Sequence, residues 1–157
     1  YGAHIVNEYN NIIHAGIVLN ENNQPISAYQ HLDENFPHAK KIRPFQMLDH
    51  FLCTGRDFFL STGGFHPESG PYKFMDLCLR TNANLKKPSS LFWGDVGLIK
   101  LPAENMAEDD YANVYFYSRW HGQLWENETQ LLEEDGVSTL QVDAARMTRA
   151  LETSGLT

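Results

Sequence analysis

The sequence predicts an α/β fold, and three observations support this class. Short runs rich in Ile and Val, separated by turns containing Asn and Pro, occupy the first third of the chain and are typical of β-strands. Apolar side chains at helical spacing follow farther along. Of the 157 residues, 42% are hydrophobic and 12% are aromatic, enough to form a core. We therefore expect a mixed sheet with flanking helices, followed by a C-terminal helical extension.

The amino-terminal part predicts strands and turns. Residues 4–6 form a short apolar run before a polar turn, and residues 12–19 form a longer run with a break of small residues at its centre. After a second turn, residues 26–32 return as a strand or extended segment. Residues 33–44 are expected to form a polar loop, and residues 51–53 a buried strand.

Two helices and two more strands are predicted in the middle of the chain. Thr54 opens a short helix, which the consecutive glycines at 63–64 end in the manner of left-handed C-caps. Residues 74–82 form a second helix because their apolar residues recur at helical spacing. Short apolar runs at 91–93 and 97–101 then predict strands.

The acidic charge lies in one part of the chain. The formal net charge is −8, yet the first 100 residues balance nine acids with nine bases, and the remainder carries 11 acids and 3 bases. We therefore predict two zones, an α/β body over residues 1–102 and an acidic helical extension over residues 103–157. Helical periodicity in the extension predicts helices over 104–124 and 138–153.

Composition excludes several classes of protein. An acidic chain lacks the basic face that nucleic-acid binding needs, and no run approaches the ~20 apolar residues of a membrane span. There is no signal-peptide pattern, so we expect a cytoplasmic protein with reduced, buried thiols at Cys53 and Cys78. The chain lacks an initial Met, and we expect it to be part of a longer protein.

Residue spacing alone indicates no chemistry. The seven histidines form no HxH, HxxxH or HExxH pair, so no metal ligand is predicted in this chain. A glycine-rich phosphate loop and a GxSxG nucleophile motif are both missing from the sequence. On these grounds the residues indicate only an α/β domain.

Five segments, in chain order, resemble those of one enzyme family. Residues 2–16 end in His-Ala-Gly, residues 51–65 end in Gly-Gly-Phe, and residues 74–80 read FMDLCLR. Residues 91–101 are similar to a late strand, and residues 115–124 to an aromatic helix containing Arg-Trp. Together they resemble the acceptor-side, C-terminal half of family 2 glycosyltransferases, which have the A-type nucleotide-sugar transferase fold.

This resemblance implies transfer of a sugar from a nucleotide-sugar donor to a glycan acceptor, assisted by Mg²⁺ or Mn²⁺. The chain departs from the family pattern in four places. It contains no Asp-x-Asp metal motif, and Phe74 stands where the family has its general-base carboxylate. The late metal-side histidine falls on Lys100 or Leu101, and Leu48-Asp49 replaces a small Thr-Gly pair.

The resemblance nominates six site residues. They are the catalytic candidates Asp76 and Asp49, and the substrate-binding candidates His50, Arg80, Trp93 and Trp120. Asp76 is a candidate displaced base, but we favour the simpler explanation that it is a carboxylate that caps a helix or pairs with Arg80. Core packing likewise explains the two tryptophans.

Three functions follow from the resemblance and its departures. In the first, the chain is the acceptor half of a glycosyltransferase and is inactive alone. In the second, it is a degenerate relative that serves as a non-catalytic interaction or assembly module. The third is an unrelated small α/β binding domain. Because half a sheet exposes strand edges, we expect the chain to form a homo-oligomer or to associate with another protein.

Overall fold

The computed structural model describes residues 1–20, 24–86, 90–99, 110–120 and 128–137. Within these ranges the chain forms six strands, β1 (Gly2–Val6), β2 (Ile12–His14), β3 (Ile17–Leu19), β4 (Pro25–Ser27), β5 (Ile42–Phe45) and β6 (Ser90–Ile99). Its helices are α1 (Arg56–Ser61), α2 (Lys73–Leu85), α3 (Asp110–Trp120) and α4 (Glu128–Glu134), with 3₁₀ helices at Pro37–Lys40 and Pro67–Tyr72.

Four of the strands form one mixed sheet in the order β2-β1-β6-β5. Strand β1 pairs in antiparallel fashion with β2 and in parallel with β6, and β6 pairs in antiparallel fashion with β5. Strands β3 and β4 form a separate antiparallel pair. The prediction of an α/β fold with a mixed sheet and helices is therefore confirmed.

The apolar run at residues 12–19 is interrupted at Gly16, so that β2 belongs to the four-stranded sheet and β3 to the two-stranded sheet. Gly16 has a φ of +98°, and a Cβ atom at this position would lie 2.5 Å from a ring carbon of Phe45. Only glycine fits both the left-handed backbone and this close approach. The predicted break is thus confirmed, and it lets β3 leave the main sheet.

The two strands predicted at 91–93 and 97–101 are replaced by the single strand β6. Its pairing with β1 shifts register, since Ala3 lies opposite Trp93 while the next residue of β1 lies opposite Gly97. At Gly94 a Cβ atom would lie 2.3 Å from the carbonyl oxygen of Ala39. Glycine therefore permits the strand to pass close to the neighbouring 3₁₀ helix.

The polar loop predicted over residues 33–44 contains regular structure instead. It includes the 3₁₀ helix Pro37–Lys40, and β5 begins at Ile42. The segment is polar and contains two prolines, so its sequence shows no strand pattern. Pro44 is tolerated because β5 is an edge strand, where one side of the backbone needs no partner.

The buried strand predicted over residues 51–53 is wrong. Phe51 is 36% exposed and Cys53 is exposed, although Cys78 is buried as predicted. The segment is held by two backbone hydrogen bonds, from Cys53 N to Tyr1 O at 2.8 Å and from Tyr1 N to Cys53 O at 2.7 Å. Leu48, which is wholly buried, takes the core position that the apolar run was expected to fill.

The two predicted central helices are confirmed as α1 and α2, but the predicted opening at Thr54 is wrong, because α1 begins at Arg56 after Gly55 and has no side-chain cap hydrogen bond. Helix α1 is followed by Gly63 and Gly64 with φ of +84° and +65°, the left-handed glycines that the sequence predicts. Helix α2 buries seven of its 13 residues, among them Leu77 and Cys78. None of the six residues of α1 is fully buried; on its predicted apolar side Phe58 is exposed, while Phe59 is partly buried and packs edge-on against Phe65, with ring centres 5.1 Å apart.

The described parts of the C-terminal extension contact the body. Helix α3 lies within the helix predicted at 104–124, and α4 was not predicted. Leu132 and Val137 are buried in the core cluster of the sheet. The rest of the first predicted helix, the second at 138–153 and the predicted boundary after residue 102 lie outside the described residues.

No helix among the described residues has the length and apolar character to span a membrane.

Candidate functional site

Three of the six nominated residues meet at one carboxylate. Helix α2 places Arg80 one turn after Asp76, so that Arg80 Nε donates to Asp76 Oδ2 at 2.9 Å. From α3, the indole Nε1 of Trp120 donates to Asp76 Oδ1 at 3.0 Å. Arg119 Nε lies 3.9 Å from the same oxygen. We call these four residues the Asp76 cluster.

The Asp76 cluster also holds the loop that follows α1. Arg80 Nη1 donates to the carbonyl of Thr62 at 2.5 Å, and Nη2 donates to the carbonyl of Gly64 at 2.6 Å. Asp76 is 0% exposed, and both of its oxygens accept hydrogen bonds. Its carboxylate therefore joins α2, α3 and this loop, and would reach a substrate only if the cluster opened.

Two other nominated residues lie side by side on the segment after the buried Leu48. His50 Nε2 is 3.9 Å from Asp49 Oδ2, and the two side chains are 34% and 21% exposed. His50 has a φ of +61°, a left-handed conformation that is strained for a residue other than glycine. Asn10, Tyr29, His31 and Lys86 also have a positive φ, so this conformation does not by itself mark a functional position.

A buried histidine supports this pair. The backbone N–H of Asp49 donates to His14 Nε2 at 3.4 Å. The His14 ring is buried and lies edge-on to His50, with the ring centres 5.5 Å apart. We call Asp49, His50 and His14 the Asp49–His50 site. His14 is not among the six residues that the resemblance nominates, although it begins the His-Ala-Gly triplet.

The Asp49–His50 site has groups that can bind and deprotonate a hydroxyl. The partly exposed Asp49 carboxylate can accept hydrogen bonds, and the adjacent imidazole can donate or accept them. Trp93, the sixth nominated residue, pairs through its backbone with Ala3 and Ile42, and its side chain lies outside the described part of the structure.

A third polar cluster was not predicted from the sequence. Arg43 binds Asp135 with both guanidinium arms, with Nη2 donating to Oδ1 at 2.8 Å and Nη1 to Oδ2. The Tyr29 hydroxyl also donates to Oδ2 of Asp135, and His38 Nδ1 lies 2.5 Å from Oδ1. Because 92 residues separate Arg43 from Asp135, no local pattern reveals this contact.

This third cluster fastens α4 to the body. Burial alone would raise the pKa of the Asp135 carboxyl, but hydrogen bonds from Arg43 and Tyr29 outweigh it and hold that pKa below its ordinary value. Burial and the bond to Asp135 raise the pKa of the Tyr29 phenol. The cluster is an ion pair nearly closed to solvent, and its position next to Leu132 indicates a structural role.

Metal ligands are not grouped in the described ranges. There, no set of three or more His, Cys, Asp or Glu side chains is placed to hold a metal ion.

Comparison of the chain with protein-family models, with curated proteins and with solved structures finds no match in any of the three.

Proposed function

We propose that this chain is the acceptor-side half of a glycosyltransferase-like domain and does not catalyse transfer alone. One observation carries the proposal. Segments that resemble the family, far apart in the sequence, are bonded to one another: Arg80 of the DLCLR helix contacts Gly64 of the Gly-Gly-Phe loop and, through Asp76, Trp120 of the Arg-Trp helix. Independent chance similarities give no reason for these contacts.

The proposal places the acceptor at the Asp49–His50 site. Of the two nominated carboxylates, Asp49 is accessible and Asp76 is buried and fully bonded. An acceptor hydroxyl that donates to Asp49 would lose its proton to this carboxylate as it attacks the donor sugar. His50 would hold a neighbouring hydroxyl of the same acceptor.

The donor half of the reaction is assigned elsewhere. Departure of a nucleoside diphosphate requires neutralisation of its charge, which in this family a divalent cation supplies. The sequence has no Asp-x-Asp motif, and the described residues offer no ligand set. The proposal therefore assigns Mg²⁺ or Mn²⁺ and the nucleotide to a donor half that is not part of this chain.

A second candidate is a non-catalytic interaction module with the same ancestry. The closure of the Asp76 cluster favours it, because a carboxylate retained from the family motif serves there as a structural bond. The two candidates differ at the Asp49–His50 site. An acceptor half binds sugar at that site, whereas an interaction module does not.

The test is calorimetric titration of the chain with a panel of nucleotide sugars plus Mn²⁺ or Mg²⁺, with product analysis. We expect no binding heat and no transfer. Hydrolysis or transfer by the isolated chain that disappears when the metal is chelated would show that the proposal is wrong, because the donor site would then lie in this chain.

A further inference from the structure

His4 is a buried polar side chain in the interior of the main sheet. Its strand, β1, lies between β2 and β6, and the residue is only 4% exposed. The ring packs edge-on against Phe92, with ring centres 6.5 Å apart, and its Nε2 atom has no hydrogen-bond partner among the described residues. The imidazole is therefore most stable here without a second proton, because protonation would create a buried charge with no acceptor at Nε2.

The charges around His4 also oppose its protonation. The pKa of His4 lies below its ordinary value of 6.5, first because of burial and next because of the positive charge of Lys40. The negative charge of Glu34 acts in the other direction, but it is the weakest of the three influences. From β2, His14 packs edge-on against the same phenylalanine ring. Asp95 of β6 has a side chain outside the described part of the structure.

The pairing of β1 with β6 is interrupted just before His4. The two strands lose register between Ala3 and His4, since residues 94–96 of β6 have no counterpart in β1. The described pairing of β6 with β5 also ends before this bulge. Residues 97–99 are all exposed, Ile99 by 67%. In the described structure, this end of β6 is therefore attached to the sheet through β1 alone.

We propose that protonation of His4 separates residues 4–6 of β1 from residues 97–99 of β6, so that this end of the sheet opens in mild acid. At neutral pH the uncharged ring stays buried and the two segments pair. In acid the separated conformation is favoured, because water there solvates the charged ring. The inference goes beyond the proposed function, since it holds for an acceptor half and for an interaction module alike.

The pH dependence of this opening has a definite sign and size. Since the pKa of His4 is lower in the closed sheet than in the separated conformation, the separated conformation binds more protons between the two values. Uptake of one proton raises the equilibrium constant for opening by up to about tenfold for each pH unit below about 6.5. The increase ends once the pH has fallen below the pKa of the closed sheet.

The test is amide hydrogen exchange of the full chain from about pH 7.5 to about pH 5, corrected for the intrinsic pH dependence of exchange. We expect the protection of residues 4–6 and 97–99 to fall by up to about tenfold per pH unit, while that of α2 is unchanged. In His4→Phe, whose ring takes up no proton, the fall should disappear. His66→Gln is the matched control, because it removes a histidine that is 39% exposed and outside the sheet. There the fall should persist.

Two lysine variants test the mechanism without altering the buried ring. Lys40→Gln removes the positive charge that opposes protonation of His4, so the fall in protection at about pH 5 should become smaller. Lys41→Gln is the control, because it removes the next exposed charge, which is not among the influences on His4. If His4→Phe does not fold, NMR titration of the His4 imidazole in the unmodified chain replaces it, and the ring should titrate below pH 6.5.

Four results would each overturn the proposal. The first is protection of residues 4–6 and 97–99 that stays constant over the whole pH range. The second is a fall that persists in His4→Phe or that α2 shares equally. The third is equal behaviour of Lys40→Gln and Lys41→Gln. The last is a His4 imidazole that titrates at or above pH 6.5 in the folded chain.

Discussion

Asp76 and Asp49 are the two carboxylates that the sequence nominates for catalysis, and their surroundings are opposite. Asp76 is wholly buried and bonded to Arg80 and Trp120. Asp49 is 21% exposed at its side chain, and its Oδ2 lies 3.9 Å from the imidazole Nε2 of His50, a residue with a left-handed backbone. A motif position thus does not decide a role. Burial and bonding assign Asp76 to stability, and accessibility leaves Asp49 open to a ligand.

The largest effect expected from this comparison is that of Asp76→Asn. The change leaves the Arg80 guanidinium without its buried counter-charge, and loss of one partner of a buried ion pair costs about 3–5 kcal/mol. Urea denaturation should show this loss in the free energy of unfolding. Asp57→Asn, at an almost fully exposed carboxylate, should leave that free energy unchanged. A loss below about 1 kcal/mol for Asp76→Asn contradicts the structural role.

Substitution of Asp135 tests whether burial, and not membership of a family-like segment, determines how much unfolding free energy is lost when a carboxylate is replaced. It belongs to no resemblance segment, yet its side chain is almost as buried as that of Asp76 and Arg43 binds it with both arms. We expect Asp135→Asn to cost about 3 kcal/mol at neutral pH by the same denaturation experiment. If Asp135→Asn left the free energy of unfolding nearly unchanged, then membership of the family-like segment, and not burial, would explain the cost of Asp76→Asn.

The contribution of Asp135 should also depend on pH. Its pKa in the folded chain lies below the ordinary value of 3.8, so between the two values the unfolded chain binds more protons. This stabilisation is complete above about pH 5 and disappears as the pH falls through the folded pKa. The difference in unfolding free energy between the unmodified chain and Asp135→Asn should therefore shrink on acidification. A difference in unfolding free energy that stays constant down to about pH 2 would contradict the stabilisation assigned to the ionised Asp135 carboxylate.

A smaller effect is expected from His50→Gly. Glycine adopts a φ of +61° without strain, and relief of this strain should raise the unfolding free energy by up to about 1 kcal/mol. At the same time the imidazole is lost, so binding of an acceptor sugar should weaken. Destabilisation by this substitution would show that the His50 ring packs structurally against His14.

The smallest effect on stability is expected for Asp49→Asn. An accessible ion pair contributes little, so the unfolding free energy should change by less than about 0.5 kcal/mol. Equal costs for Asp49→Asn and Asp76→Asn would remove the distinction between the two carboxylates.

The sequence was a good guide where the signal is local. The Gly63-Gly64 stop and the apolar spacing in α2 located both central helices. It was a poor guide where tertiary contacts decide. Strand β5 follows a polar stretch and contains Pro44, and it forms because β6 offers an edge for pairing.

The same distinction between local and long-range contacts holds at the candidate site. Asp76 and Arg80 are one helical turn apart, so their pairing was visible as an alternative in the sequence. The bond from Trp120 spans 44 residues, and the contact of His14 with Asp49 spans 35. Contacts over such separations depend on the arrangement of whole elements, and no periodicity within one segment encodes them.

The central claim is that this chain binds an acceptor sugar at the Asp49–His50 site and no sugar donor. It is tested most directly by amide NMR titration of the full chain with a panel of mono- and disaccharides and with nucleotide sugars plus Mg²⁺. We predict shifts centred on Asp49 and His50 with an acceptor sugar, lost in Asp49→Asn, and none with nucleotide sugars. Saturable binding of a nucleotide sugar, or sugar shifts that leave this site unperturbed, would contradict the account.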